Sequence, residues 1–236
     1  MTTRIRVIDT ETTGLDPATS AVCEIGWTDI VFWKGKWVAT VPQARLVNPE
    51  MPIPPDACAV HHITDAMVKD QPALPQVLSR WNILDPEIDV FGVQNVSFDS
   101  KFIHIEEPQR WVCAYRCAVR LAPKAPRHSN QFMRYWLSLN VDPLLADPPH
   151  RAGPDSYITA HILARMLNKP HKLDDLITVT SEPVVLPRFT FGKHAMEPLS
   201  SVPSSYLQWI IDKRADMDAD VVSTAEYYLH QRGECR

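Results

Sequence analysis

The sequence has no run of roughly eighteen apolar residues, so no stretch of it could cross a membrane as a helix. Met1 to Ile8 lacks a long apolar core followed by a small-residue cleavage site, and a secretory signal is not expected. A disulfide framework is missing too. The five cysteines, Cys23, Cys58, Cys113, Cys117 and Cys235, are odd in number and widely spaced, which points to a reducing, cytoplasmic setting. Cys113 and Cys117 could share a helix face, but no second Cys or His pair stands near them at zinc-site spacing. Basic residues are not in excess: the formal charge is −4. That argues against a strongly cationic nucleic-acid coat, but not against an enzyme that meets nucleic acid through a local patch. Repeats and low-complexity tracts are also absent.

What is present suits a globular chain. The 236 residues are 45% apolar and 22% charged, which fits one α/β domain with a small appendage. Arg4 to Thr10 reads as a strand rich in β-branched residues, ending at the turn Thr12-Thr13-Gly14-Leu15-Asp16-Pro17. Val22 to Trp33 and Trp37 to Val47 read as two further strands, joined at Lys34-Gly35-Lys36. A fourth strand is expected over Ile88 to Val93 and a fifth over Trp111 to Ala114. Helices are expected over Thr64 to Lys69, Leu74 to Leu84, Phe98 to Ile105, Arg116 to Leu121, Asn130 to Leu139 and Asp155 to Leu167. A meander followed by βαβ units implies a mixed sheet with helices on its faces. The composition shifts between Asn168 and Pro187, where Leu173 to Val179 reads as a short helix. The expected division is 1–168, a connecting stretch 169–187, and a small module 188–236.

Three segments carry chemistry. In Asp9-Thr10-Glu11, strand geometry puts both acids on one face, about 7 Å apart, a spacing that could flank a pair of metal ions about 4 Å apart. Spacing alone is weak evidence, since Asp85-Pro86-Glu87 repeats it in a loop. Only the first pair has a strand before it and a glycine turn after it, where α/β sheets place ligands. Asp99, after Gln94-Asn95-Val96-Ser97-Phe98, falls in the first turn of a helix, where the helix dipole favours a carboxylate. That acid could equally serve only to start the helix. In His150-Arg151-Ala152-Gly153-Pro154-Asp155, an imidazole and a carboxylate flank a loop-to-helix junction and could converge on one site.

In this order the three segments resemble the motifs of the Asp-Glu-Asp-Asp-His 3′→5′ exonucleases, over about residues 4–168. The first motif is Val7 to Leu15, the second Asn95 to Asp99 with Phe102, and the third His150, Ala152 and Asp155 with Ile158-Thr159-Ala160. Val60-His61 with Ile63-Thr64 resembles a loop that the family carries near its active site. Trp111 to Asn130, Phe189-Thr190-Phe191-Gly192-Lys193 and Tyr206 to Ile210 resemble the exodeoxyribonuclease X group in particular. Gln94 stands where the family often has His, and Gly153-Pro154 interrupts a segment that is usually a continuous Ala-Leu-x-Asp.

The resemblance implies an RNase H-like fold with a mixed five-stranded sheet flanked by helices, plus a small C-terminal module. It implies two Mg²⁺ or Mn²⁺ ions, with Asp9 bridging them, Glu11 and Asp155 completing one site and Asp99 supporting the other. His150 becomes the general base, and 5′-mononucleotides the products. DNA 3′ ends are the expected partner, single-stranded or double-stranded, met without a membrane by a monomer or a homodimer, and DNA repair is the implied setting. Leu15 is expected to wedge against terminal bases, with Thr10, Thr12, Asn95 and Phe98 lining the same pocket and His61 at the terminal nucleotide. Ordinary packing for Leu15 and a surface loop for His61-His62 remain the plain alternatives.

From Pro108 to Leu139 there is no acid but six Lys or Arg residues. Arg116 and Arg120 among them are four apart, on one helix face, and could meet phosphate. Phe189, Phe191, Tyr206 and Trp209 are read as a small core in preference to a base-stacking platform. An RNA-trimming exonuclease with the same site, and a non-catalytic nuclease-like interaction module, are the competing readings.

Overall fold

The structure is a computed structural model that describes residues 3–103, 110–169 and 171–234. Its spine is strand β1 (Arg4–Thr12). Antiparallel β2 (Val22–Trp33) pairs with it along its whole length, so that Asp9 lies opposite Gly26 and Glu11 opposite Glu24. On its other side β1 pairs in parallel with β5 (Val90–Val93), which pairs in parallel with β6 (Arg110–Cys113). The expected third strand is two strands, β3 (Lys36–Ala39) and β4 (Gln43–Leu46). Pro42 lies between them and has no N–H to give a ladder. β3 and β4 share the outer edge of β2, pairing with Ile30–Trp33 and with Glu24–Trp27, so the mixed sheet is five positions wide.

Strand alternation sends side chains to two cores. Ile5 and Val7 of β1, Ile30 of β2 and Val90 of β5 face α8 (Ala152–Leu167), which supplies Ile158, Ile162, Leu163 and Met166. Ile8, Ile25, Trp27 and Phe91 face the opposite way, among Val77, Phe102 and Ile103. The chain reaches that second face through α1 (Pro55–His61), α2 (Asp65–Val68), α3 (Leu74–Arg80) and α4 (Val96–Phe102). The sequence places the α4 helix two residues too late, because Asn95 caps it: its side chain accepts the Ser97 N–H at 3.2 Å. Ile105, the last residue of that expected helix, lies outside the described residues. Beyond β6 follow α5 (Ala114–Leu121), α6 (Asn130–Trp136), α7 (Pro143–Ala146) and then α8. α8 begins at Ala152, ahead of Gly153-Pro154, so those residues sit inside the first turn and do not break the helix.

Within 169–187, α9 (Leu173–Ser181) packs on β6 and α5 and buries Leu176 completely. α10 (Ser204–Asp212) and α11 (Ala219–Gln231) close a third core around Phe189, Leu207, Ile210 and Ala225, against Val119 of α5. Phe189 is core as expected, whereas Trp209 stays 44% exposed and stacks on Tyr206.

Arg116 corrects an expectation. It does not stand on an open basic face with Arg120. It is buried, with Nε 3.0 Å from Asp220 Oδ2 and Nη1 donating to the Thr180 carbonyl, and so ties α5 to α11. Arg120 is exposed and lies 3.5 Å from Glu182. The physical reason is that Asp220, itself buried, would be an unmatched charge without Arg116. Arg116→Met is therefore expected to cost ~3–5 kcal/mol in denaturant unfolding. A stability change under about 0.5 kcal/mol would contradict this assignment.

Candidate active site

The alternation of β1 divides the site between the two faces of the sheet. Asp9 and Glu11 point to the α8 side, whereas Thr10 points to the α4 side. β1 runs past the last parallel partner on β5, Gly92 opposite Val7, so both acids overhang the point where β5 ends and α4 begins. α8 brings Asp155 to them from above: one carboxylate oxygen each of Asp9, Glu11 and Asp155 can be chosen so that all lie within 4.8 Å of one another. Asp99 comes from α4 on the other side, where it accepts from Thr10 Oγ1 and from the Asn95 N–H, each at 3.3 Å. The open cavity, about 500 Å³, is lined by these four acids together with Leu15, Asn95 and His150.

The electrostatics set these acids apart from the Asp-x-Glu in the loop. Burial, reinforced by Asp155, Asp99 and Glu11, holds Asp9 well above the usual carboxylate range. Glu11 is pushed up to about 8, first by burial and then by Asp155 and Glu24, with Arg151 opposing. Burial also raises Asp99, to about 7, against the hydrogen bonds from Asn95 and Thr10. Asp155 is raised by burial as well. Asp85, with the same sequence spacing, goes the other way: the Glu87 N–H and then Arg4 hold it below the usual value. A cluster of largely buried carboxylate oxygens suits a hard divalent cation.

His150 sits at the cavity rim with a left-handed backbone, φ 58°. Its N–H donates to Asp155 Oδ2 at 2.7 Å, so the loop that carries the imidazole is fixed to a site carboxylate. Leu15 is 84% exposed beside the cavity, which excludes ordinary core packing for it. Thr10, Asn95 and Phe98 line the cavity. Thr12 and His61 line a neighbouring one of about 480 Å³ that shares Thr10, Glu11, Leu15 and Phe98 with it. His61 is corrected in one respect: its side chain is buried, 2% exposed, with Nδ1 accepting the Ile63 N–H at 3.0 Å and Nε2 3.7 Å from Cys23 Sγ. It props the loop from inside, and His62 is the exposed member of the pair. Arg116 and Arg120 do not line the cavity.

Two side chains escaped the sequence reading. Asn130 lines the cavity and bridges α6 to α8, donating to the Asp155 carbonyl and accepting from Thr159 Oγ1, each at 3.1 Å. Glu24, 2% exposed on β2, binds Arg151 and the Ala152 N–H. A lone acid in the apolar run from Val22 to Trp27 was the available signal, since buried acids are rarely without a partner.

The comparisons with known proteins agree with this geometry. The family described as exonuclease, RNase_T, matches residues 7–163. The chain is 33% identical to exodeoxyribonuclease 10 of Escherichia coli K12 over 95% of its own length and 98% of that protein's. It is 27% identical to DNA polymerase III subunit epsilon of Treponema pallidum over 67% of its length and 74% of that protein's. Among solved structures, Exonuclease X in complex with 5′ overhanging duplex DNA superimposes with a TM-score of 0.61 at 34% identity, covering 75% of this chain and 99% of that one. The nuclease domain of 3′hExo, a DEDDh family member bound to rAMP, shares the fold with a TM-score of 0.58 at 18% identity, over 72% of this chain and 94% of that one.

The raised carboxylates generate a test by pH. An acid whose folded pKa lies above its unfolded value keeps its proton in the folded state after the unfolded chain has lost it, so rising pH favours unfolding across that window. In chelator, Asp9→Asn should therefore gain stability relative to the unaltered protein as pH rises above the unfolded carboxylate value of about 4, read by thermal melts. Added Mn²⁺ should raise the melting temperature of the unaltered protein and do less for the variant. A difference that shrinks with rising pH would contradict the raised Asp9.

Proposed function

Because the chain belongs to the RNase_T exonuclease family, as a 3′→5′ exonuclease acting on nucleic acid, we propose that it removes 5′-mononucleotides from DNA 3′ ends. The observation that carries this reading is the convergence of Asp9, Glu11 and Asp155 within 4.8 Å, with Asp99 across Thr10. Asp9 would bridge two divalent ions, Glu11 and Asp155 would complete one site, and Asp99 would support the other. Bound there, the ions would supply Lewis acidity, favouring hydroxide near neutral pH and offsetting charge on the phosphate and on the departing 3′ oxygen.

The chain's own residues do the rest. His150 takes the proton of the attacking water as general base, a task that suits an imidazole at working pH. Its loop is aligned by the hydrogen bond from its N–H to Asp155. As water oxygen bonds to phosphorus, the bond from phosphorus to the 3′ oxygen of the preceding nucleotide breaks. Leu15, exposed at the rim, wedges against the terminal base, and Asn95 and Phe98 hold the nucleotide from the α4 side. The exonuclease body is proposed to span 1–168, with 188–236 as a C-terminal module joined through 169–187. Likeness to an exodeoxyribonuclease along 95% of the chain supports DNA over RNA.

The test is digestion of 3′-labelled DNA and of a matched RNA with Mg²⁺, Mn²⁺ or chelator. DNA should release labelled mononucleotide only with metal. Asp9→Ala should remain folded and give no measurable hydrolysis, and His150→Ala should lose about 10²–10⁴-fold in rate. Undiminished activity in Asp9→Ala would refute the site, and a loss of only a few-fold in His150→Ala would remove that residue from the base role.

A further inference from the structure

The metal-binding halves of the site come from two elements, β1 with Asp9 and Glu11 and α8 with Asp155, and β2 stands between them in the hydrogen-bonding pattern. Three successive residues on the α8 side of β2 each meet the start of that helix. Glu24 Oε2 accepts from Arg151 Nε and from the Ala152 N–H, each at 2.9 Å, while Oε1 accepts from Arg151 Nη2. Gly26 lies so close beneath the helix that an added Cβ would be 2.2 Å from the Ala152 carbonyl carbon and oxygen and 2.5 Å from the Gly153 nitrogen. Thr28 Oγ1 lies 2.9 Å from Ser156 Oγ. Across the ladder, Glu24 faces Glu11 and Gly26 faces Asp9. One strand thus fixes the height of α8 above the same two residues that would hold the ions.

From this juxtaposition we infer that Glu24 is a positioning residue: through Arg151 and the first turn of α8 it sets where Asp155 and His150 stand relative to Asp9 and Glu11. The inference rests on the metal-site reading proposed above. Glu24 is nearly sealed from solvent, its side chain 3% exposed, and sits opposite another acid, an arrangement that costs stability unless a cation answers it. Arg151 gives that answer with two parallel N–H bonds, a fork that a lysine could not reproduce. Outer partners that hold a ligand in place characteristically change metal affinity or activity by about 10–100-fold when removed.

The experiment compares Glu24→Gln, Arg151→Gln and Arg151→Lys in the full chain. It reads Mn²⁺ affinity by calorimetry, kcat and KM on 3′-labelled single-stranded DNA at saturating Mn²⁺, and thermal melts. The sign at Arg151 separates positioning from simple charge. Deleting a cation beside an anionic site should tighten Mn²⁺ binding by Coulomb attraction alone, whereas loss of alignment weakens it. The expected result is Mn²⁺ affinity lowered about 10–100-fold in both Gln variants, kcat lowered with KM within about twofold, and partial recovery in Arg151→Lys. Tighter or unchanged Mn²⁺ binding in Arg151→Gln would overturn the inference. So would a lowered melting temperature with metal affinity and kcat intact, which assigns the pair to stability alone. Should Glu24→Gln fail to fold, Arg151→Lys carries the test, since it keeps the charge and loses the fork; Mn²⁺ affinity equal to that of the unaltered chain then overturns the inference. Inactivity of the unaltered chain with every metal would defeat the exonuclease reading itself, a result distinct from an active chain whose variants match it.

Discussion

The burial of four carboxyl groups beside one another, Asp9, Glu11, Asp99 and Asp155, is the constraint on which the rest of the structure turns. Each is at least half buried, and burial together with the neighbouring acids raises Asp9 and Glu11 far above the ordinary carboxylate range. A fold does not gather such groups for its own stability, because each would be more favourable ionised in water. The surrounding elements hold them together nonetheless: the paired strand β1, the capped start of α4, and the first turn of α8 anchored on β2. The free-energy cost of that gathering becomes useful when a divalent cation offsets it, which is why the same cluster that strains the metal-free chain suits phosphodiester hydrolysis.

Geometry then follows from a strand's period of two. Asp9 and Glu11 share a face with Val7 and Ile5, the face that α8 covers, while Thr10 shares one with Ile8 and reaches Asp99 on α4. One strand thereby gathers carboxylates from helices on both sides of the sheet. The C-terminal helices α10 and α11 supply none of these acids; α11 is tied to α5 by the buried Arg116–Asp220 pair, and both helices pack around Phe189, Leu207 and Ile210.

Much of this was legible in the sequence, and the misses at Arg116, His61 and Glu24 share a cause. β-branched runs marked β1 and β2, and Asp9-Thr10-Glu11, Asn95 to Asp99 and His150 to Asp155 marked three segments that the fold brings to one cavity. Local pattern carried that information, because strand alternation and helix starts are local. Burial is not local. Nothing near Arg116 indicates that Asp220, 104 residues on, would enclose it. Nothing beside His61 shows that its ring turns inward onto Cys23. Glu24 offered no signal beyond being an acid in an apolar strand, and its partner Arg151 lies 127 residues away. The split between β3 and β4 was readable from Pro42, which denies the ladder an N–H.

The most direct measurement is the stoichiometry and affinity of Mn²⁺ binding to the full chain, by calorimetry or by electron paramagnetic resonance, with Asp9→Asn alongside. Two bound ions per chain are expected, both largely lost in the variant because Asp9 would serve both. Failure of the unaltered chain to bind Mn²⁺ at millimolar concentration, or full retention of both ions by Asp9→Asn, would contradict a metal site built on these carboxylates.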